Sequence, residues 1–279
     1  MGITDWIETI KGPLVSTYEY NSELSARRGS VSLGIIKVDN LGTFGASYEE
    51  GLSSGVVISS EYEGVVIRDK DLKEVSKFTG WPSYKHVYLD NQVFSVGSAG
   101  GYQSICLVKG TSERQVMVCG SGKCQHEVWS VHVEGPLVYL GCDLGTMAIK
   151  DQRSNEWVQQ MELGAGVTWL GRGEQSGVVE VGTYDGYLGL VKGTQEVDRK
   201  SLGGTVWRVF RREYQGRVLV IVARAYDGIS IYSGDWQHLY TEKTDDLVYA
   251  LRIDLPIITG FTYYLGTEVR LDLDKINLG

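Results

Sequence analysis

The chain is poor in proline and cysteine and has no long apolar run. Its 279 residues include 4 prolines and 4 cysteines. Four cysteines do not make a disulfide framework in a chain of this length, so we expect a reducing compartment. No apolar run approaches the roughly 18 residues of a membrane span, and the acidic N-terminal stretch lacks the apolar core of a signal peptide. The sequence therefore predicts a soluble, cytoplasmic protein without a membrane partner.

Positive charge is also scarce. The chain has 27 Lys and Arg against 35 Asp and Glu, which gives a formal net charge of −8 and an isoelectric point near 5.1. This balance argues against direct nucleic-acid binding and is compatible with a basic protein partner. Glycine, by contrast, reaches 36 residues, nearly twice the usual share of ~7%. Abundant glycine with little proline predicts many tight turns.

A small turn followed by an alternating apolar strand recurs along the chain. The turns are marked by Gly34, Gly64, Gly101, Gly145, Gly186, Gly228 and Gly266. Their spacings of 30 to 44 residues are close to the ~40–45 residues of a four-stranded propeller blade. Two further apolar strands precede most markers, and Asp-Gly or Leu-Gly occupies several of the turns. This pattern predicts one all-β domain over residues 1–279, a seven-bladed β-propeller of degenerate WD repeats.

The repeats are degenerate because the usual Trp-Asp dipeptides are absent. We also expect the N-terminal strand around residues 5–9 to pair beside the C-terminal strands, which would close the ring and remove the free sheet edges.

Short strings in the second half of the chain occur in a characteristic order. They read HEVW (126–129), GTYDG (182–186), GGTVWR (203–208) and DDLVY (245–249). In order and spacing they resemble the WD-repeat methylesterases of diphthamide biosynthesis. The resemblance implies hydrolysis of the methyl ester of diphthine, the modified histidine of translation elongation factor 2. That factor would be the protein partner of a monomeric esterase without cofactor or metal.

Ester hydrolysis requires an activated nucleophile or water and donors for the oxyanion. At the channel mouth, where first strands of blades begin, we predict that His126 and Glu127 activate water. Arg208 is predicted to bind the substrate carboxylate or the oxyanion, facing the channel while its neighbour enters the core between blades. The predicted substrate-binding residues are Trp207, Asp246 and Tyr249.

Each of these candidates also has a structural explanation. His126 would hydrogen-bond Asp143 in the turn of its own blade. Arg208 would form a buried ion pair with Asp245 or Asp246, because an unpaired buried cation is costly. Trp207 would fill the space between blades.

Two further patterns carry little weight. GLSSG (51–55) has the form of a nucleophile elbow, but an apolar strand follows it where that motif needs a helix. Cys119, Cys124 and His126 lack a fourth ligand and the tight cysteine spacing of a zinc site, and no metal is predicted. A catalytically silent WD-repeat scaffold remains the alternative function, because propellers host both roles.

Overall fold

The computed structural model describes the strands bounded below and most turns from residue 128 onward. Side chains are described at residues 37, 66–69, 71–74, 128–154, 156–248, 251–262, 265, 267–276 and 278. In these parts the chain is almost entirely β-strand, with two short 3-10 turns at Ala225–Asp227 and Leu273–Lys275. No described helix is long and apolar enough to cross a membrane. The prediction of an all-β fold is confirmed.

The described strands form six four-stranded sheets and one three-stranded sheet, all antiparallel. The first three sheets contain β1 (Gly2–Thr4), β2 (Leu14–Asn21), β3 (Ala26–Leu33) and β4 (Ile36–Asn40); β5 (Thr43–Glu49), β6 (Val56–Glu61), β7 (Gly64–Arg68) and β8 (Glu74–Phe78); and β9 (Ser83–Leu89), β10 (Gln92–Ala99), β11 (Tyr102–Lys109) and β12 (Glu113–Cys119).

The remaining sheets follow in the same order along the chain. They contain β13 (Val128–Glu134), β14 (Leu137–Cys142), β15 (Thr146–Asp151) and β16 (Glu156–Glu162); β17 (Val167–Arg172), β18 (Val178–Thr183), β19 (Tyr187–Lys192) and β20 (Gln195–Ser201); β21 (Val206–Tyr214), β22 (Arg217–Arg224), β23 (Gly228–Ser233) and β24 (His238–Glu242); and β25 (Val248–Asp254), β26 (Ile257–Thr262) and β27 (Glu268–Asp272).

Successive sheets contact one another in chain order, through the series of strands β2, β5, β9, β13, β17, β21 and β25. The neighbouring strands β6, β10, β14, β18 and β22 also contact the first strand of the sheet that follows them. Side-chain hydroxyls join three of these strands. Ser130 Oγ donates to the Val167 carbonyl at 2.9 Å, and Thr168 Oγ1 donates to the Val206 carbonyl at 2.5 Å. These bonds satisfy buried carbonyls at the edges of two sheets.

The apolar core lies between the faces of neighbouring sheets. One cluster joins the fourth and fifth sheets, a second joins the fifth and sixth, and a third joins the sixth and seventh. All six residues of β18 are buried, whereas six of the seven residues of β20 are exposed. The fifth sheet thus grades from an apolar second strand to a charged outer strand, which suits a solvent-facing sheet edge.

The glycine markers explain where the sheets turn. Gly145 and Gly186 lie in the turns between the second and third strands of their sheets, and Gly228 opens the third strand of the sixth sheet. All three have positive φ (+84°, +90° and +86°), a conformation that glycine adopts without steric cost. Residues 5–9, the predicted closing strand, lie outside the described residues. The preceding strand β1 pairs with β2 in the first sheet.

A buried ion pair links the fifth and sixth sheets. The Arg211 guanidinium donates to Glu180 through Nε at 3.1 Å and through Nη2, and its Nη1 is 2.5 Å from Glu174 Oε1. Arg211 also stacks on Trp236, with Cζ 4.9 Å from the ring centroid. Burial raises the pKa of the Glu180 carboxyl above its ordinary value of 4.5, and the Arg211 partner offsets part of that rise.

The raised pKa of Glu180 predicts a pH-dependent contribution to stability. The folded state binds this proton more tightly than the unfolded state does, so the contribution grows as the pH falls through the folded-state pKa and levels off below the unfolded value near 4.5. We expect the free energy of unfolding of wild type, minus that of Glu180→Gln, to increase as the pH is lowered from neutral. Urea unfolding of both proteins at two pH values measures it, and an unchanged difference would contradict the prediction.

Candidate functional site

Two kinds of loop lie together at one end of the sheets. The turns between second and third strands lie against the connections that enter the next sheet. Leu163 N donates to the Gly145 carbonyl at 2.7 Å, and Leu202 N donates to the Gly186 carbonyl at 2.8 Å. We call this end the loop face and define it by turn residues 143–145, 184–186, 225–227 and 265 and by connection residues 163–166, 202–205 and 243–247.

The string GGTVWR runs from a loop-face connection into β21. Gly203 has φ +74°, and its carbonyl accepts a hydrogen bond from Arg224 at 3.1 Å. A Cβ on Gly204 would overlap the Asp227 carboxylate, and a Cβ on Gly186 would lie 2.5 Å from the Gly204 nitrogen. Gly203 is thus required for its positive φ, whereas Gly204 lies where the connection passes directly against two neighbouring turns.

Trp207 and Arg208 lie on opposite faces of the sixth sheet. Trp207 packs against the apolar cluster between the sixth and seventh sheets. Arg208 is 8% exposed, its Nη1 donates to the Trp207 carbonyl at 3.0 Å, and its Cζ lies 5.9 Å from the Trp169 ring centroid in the preceding sheet. Successive strand side chains alternate between the two faces of their own sheet. The predicted channel-facing position of Arg208 stays a prediction.

Asp246 is buried and bonded to the backbone on both carboxylate oxygens. Oδ1 accepts from Leu247 N and Oδ2 accepts from Leu265 N, each at 2.7 Å. The carboxylate thus ties connection 243–247 to the β26–β27 turn. These contacts give Asp246 a positioning role within the loop face, and its predicted contact with substrate stays a prediction.

The bonds of Asp246 predict a specific cost of substitution. Asp246→Ala leaves two backbone N–H groups without this acceptor, and we expect a loss of about 1–3 kcal/mol in the free energy of unfolding. Asp246→Asn keeps one amide oxygen as acceptor and should lose less. Chemical denaturation of both variants measures the ranking. Equal stability of Asp246→Ala and wild type would show that these bonds do not stabilise the loop face.

Several predicted residues lie outside the described part of the chain. These are His126 and Glu127, the side chain of Tyr249, and the side chains of the cysteines at 119 and 124. The predicted partner of His126 is placed: Asp143 Oδ1 is buried and accepts no hydrogen bond from the residues described. Within the described ranges, no group of three or more His, Cys, Asp or Glu could hold a metal ion.

An exposed apolar surface follows the loop face across four sheets. One large apolar side chain stands in each turn between second and third strands, with exposed fractions of 60%, 44%, 59% and 68% for Leu144, Tyr184, Tyr226 and Leu265. We call these four residues the apolar arc. Turn positions normally favour small polar residues, so a large apolar group in four consecutive turns is informative.

Two members of the arc, Tyr184 and Tyr226, contact one another between neighbouring sheets, and Tyr184 also lies beside Trp129. The hydroxyls of Tyr184 and Tyr226 are 3.3 Å apart, and the ring centroids of Tyr184 and Trp129 are 6.5 Å apart. The hydrogen bond to Tyr184 raises the pKa of Tyr226 above its ordinary value of 10. Tyr184 and Tyr226 therefore form a joined aromatic surface over the fifth and sixth sheets.

Sequence reasoning missed the arc, although a signal was present. The strings CDLG, TYDG, AYDG and YYLG place Leu or Tyr directly before Gly or Asp-Gly in four successive turns. Asp-Gly and Leu-Gly predict tight turns, but turn chemistry does not account for the large side chain at Leu144, Tyr184, Tyr226 and Leu265.

No protein-family model and no curated protein sequence matches the chain. Solved structures do resemble it. The computationally designed Ika8 protein has a TM-score of 0.60 at 15% identity, covering 97% of this chain and 96% of that one. BBS1N, solved in complex with ARL6DN, has a TM-score of 0.64 at 13% identity, covering 95% of this chain and 90% of that one. At these identities the likeness concerns the fold alone.

Proposed function

We propose that the chain is a closed seven-bladed β-propeller that binds a protein partner on its loop face. The propeller proposal is supported by the serial contacts between successive sheets and by the glycine turns that recur from sheet to sheet. Closure requires β25–β27 to pack against the first sheet. A crystal structure with an open arc of sheets, or with a different number of blades, would contradict it.

The observation that carries the binding function is the apolar arc. Exposed apolar side chains scattered singly over a surface are ordinary, but a contiguous patch marks an interaction site. Tyrosine is enriched among the residues that dominate binding energy, because it offers a large rigid contact area with a polar tip. Tyr184 and Tyr226 meet this description and lie side by side.

The structural likeness to BBS1N, which was solved in complex with ARL6DN, is a likeness of fold. Folds of one shape host unrelated functions, and the partner of BBS1N is not transferred to this chain.

The carboxyl methylesterase reaction remains a separate prediction. Of its three proposed catalytic residues, only Arg208 is described, and its guanidinium is directed to the Trp207 carbonyl and the Trp169 ring. The test is incubation with elongation factor 2 carrying methyl-esterified diphthine, with methanol release as the readout. A binding module releases none. Methanol release that Arg208→Lys lowers at least about tenfold, ~1.4 kcal/mol, would establish the esterase instead.

The binding function is tested by comparing three proteins as bait in the cells that produce the chain. They are wild type, the double variant Tyr184→Ser/Tyr226→Ser, and Val218→Ser as matched control. Val218 is as exposed as Tyr184, at 44%, but is the second residue of β22, at the opposite end of the sheet. A partner should be retained by wild type and the control, lost by the double variant, and bind again when both proteins are purified. A partner retained equally by all three would contradict the loop face as its site.

A further inference from the structure

The loop face carries a one-sided charge. Its described residues include five carboxylates, Asp143, Asp185, Asp227, Asp245 and Asp246, against one lysine, Lys243. These charges lie in the same turns and connections as the apolar arc. A partner must therefore cover apolar side chains and also pair with carboxylates that alternate with them over a short distance.

The carboxylates differ in how far they are available to a partner. Asp246 is buried with both oxygens on backbone N–H groups. Asp227 is 3.5 Å from Arg224 and partly neutralised by it. Asp185 and Asp245 are exposed, and Asp185 accepts a hydrogen bond from the Thr183 hydroxyl at 2.5 Å. A cation arriving at the arc would thus meet Asp185 and Asp245 first.

On this basis we propose that the partner occupies the apolar arc with a basic segment, in which Lys or Arg side chains alternate with large apolar ones. This inference rests on the proposed binding function and specifies its occupant. The apolar side chains cover Tyr184 and Tyr226, while the cations pair with Asp185 and Asp245 and approach the tyrosine ring faces. An anionic lipid surface or a nucleic acid would meet repulsion from the same carboxylates.

Synthetic peptides test the charge and the apolar content separately. The three probes are repeats of Lys-Leu-Lys-Lys, the same length with Leu replaced by Gly, and repeats of Glu-Leu-Glu-Glu, each measured by fluorescence anisotropy against the full chain. We expect saturable binding of the Lys-Leu peptide, at least about tenfold weaker binding of the other two, and weakening as salt rises.

Two charge-removing variants of the protein make the test specific. Asp185→Asn/Asp245→Asn should weaken the binding of the Lys-Leu peptide at least about fivefold. Asp198→Asn/Glu213→Gln removes the same charge from exposed positions on β20 and β21 and should change the affinity by less than about twofold. Equal effects of the two variants would show that only net charge matters and would overturn the proposal.

The remaining outcomes separate this inference from the proposed function. If the Glu-Leu peptide binds as well as the Lys-Leu peptide and Tyr184→Ser/Tyr226→Ser abolishes both, the arc is a binding surface and the basic occupant is wrong. If no peptide binds in a way that depends on the two tyrosines, the basic occupant is also wrong. The proposed function then fails as well only if a purified partner binds Tyr184→Ser/Tyr226→Ser with the same affinity as wild type.

Discussion

Gly186→Ala is expected to lower the free energy of unfolding by at least about 3 kcal/mol. Gly186 has φ +90°, and a Cβ there would lie 2.5 Å from the Gly204 nitrogen and 2.8 Å from its carbonyl oxygen. The obstructing atoms are backbone in the connection to β21, so relief requires one sheet to move relative to the next. Equilibrium urea unfolding of wild type and variant measures the loss.

The matched control is Gly164→Ala, because Gly164 has nearly the same φ, +89°, and nothing within 4 Å of a Cβ. This variant carries only the conformational cost of a left-handed alanine, about 1–2 kcal/mol. The difference between the two variants isolates the overlap between turn and connection. Equal losses would show that Gly186 is required for its φ alone and that the Gly204 backbone can shift away from a Cβ at little cost in free energy.

Arg211→Met is expected to destabilise the protein by about 3–5 kcal/mol, because it leaves the buried Glu180 carboxylate without its cation. The Glu180 side chain is 3% exposed, so water cannot replace the lost guanidinium. The Met side chain retains apolar bulk against Trp236. Thermal and urea unfolding near pH 7 measure the change.

Removing both charges provides the control for this ion pair. Glu180→Leu/Arg211→Met should recover most of the stability lost by Arg211→Met, because an apolar pair of similar volume carries no desolvation cost. If the double variant is no more stable than Arg211→Met, the loss came from packing of the arginine stem. If Arg211→Met itself changes stability by less than about 1 kcal/mol, the pair does not hold the two sheets together.

Local features of the fold were predictable because each is set by a few neighbouring residues. Period-2 apolar alternation identified the strands, and the need for positive φ placed Gly145, Gly186 and Gly228 in tight turns. Even spacing of these turns predicted repeated four-stranded sheets, which the structure contains. Pairing of the N-terminal strand is a long-range property, and the sequence alone did not identify β2 as the partner of β1.

The site was harder to predict because its properties arise between sheets. The string GGTVWR suggested chemistry, but its Gly204 lies in close contact with Asp227 and with the turn at Gly186, which are distant in sequence. Asp246 was predicted to bind substrate, which stays a prediction; its bond to Leu265 N joins residues 19 positions apart and depends on the β26–β27 turn lying beside it. Tyr184 and Tyr226 are separated by 42 positions and form one surface only when their sheets are adjacent.

The most direct test of binding at the loop face is the affinity of the purified chain for its purified protein partner, measured with the arc intact and altered. Relative to wild type, Tyr184→Ser/Tyr226→Ser should raise Kd at least about tenfold, ~1.4 kcal/mol. Val218→Ser should leave Kd within about twofold, and both variants should unfold at the wild-type denaturant concentration. A Kd that the tyrosine pair does not change, in a protein that remains folded, would contradict the loop face as the binding site.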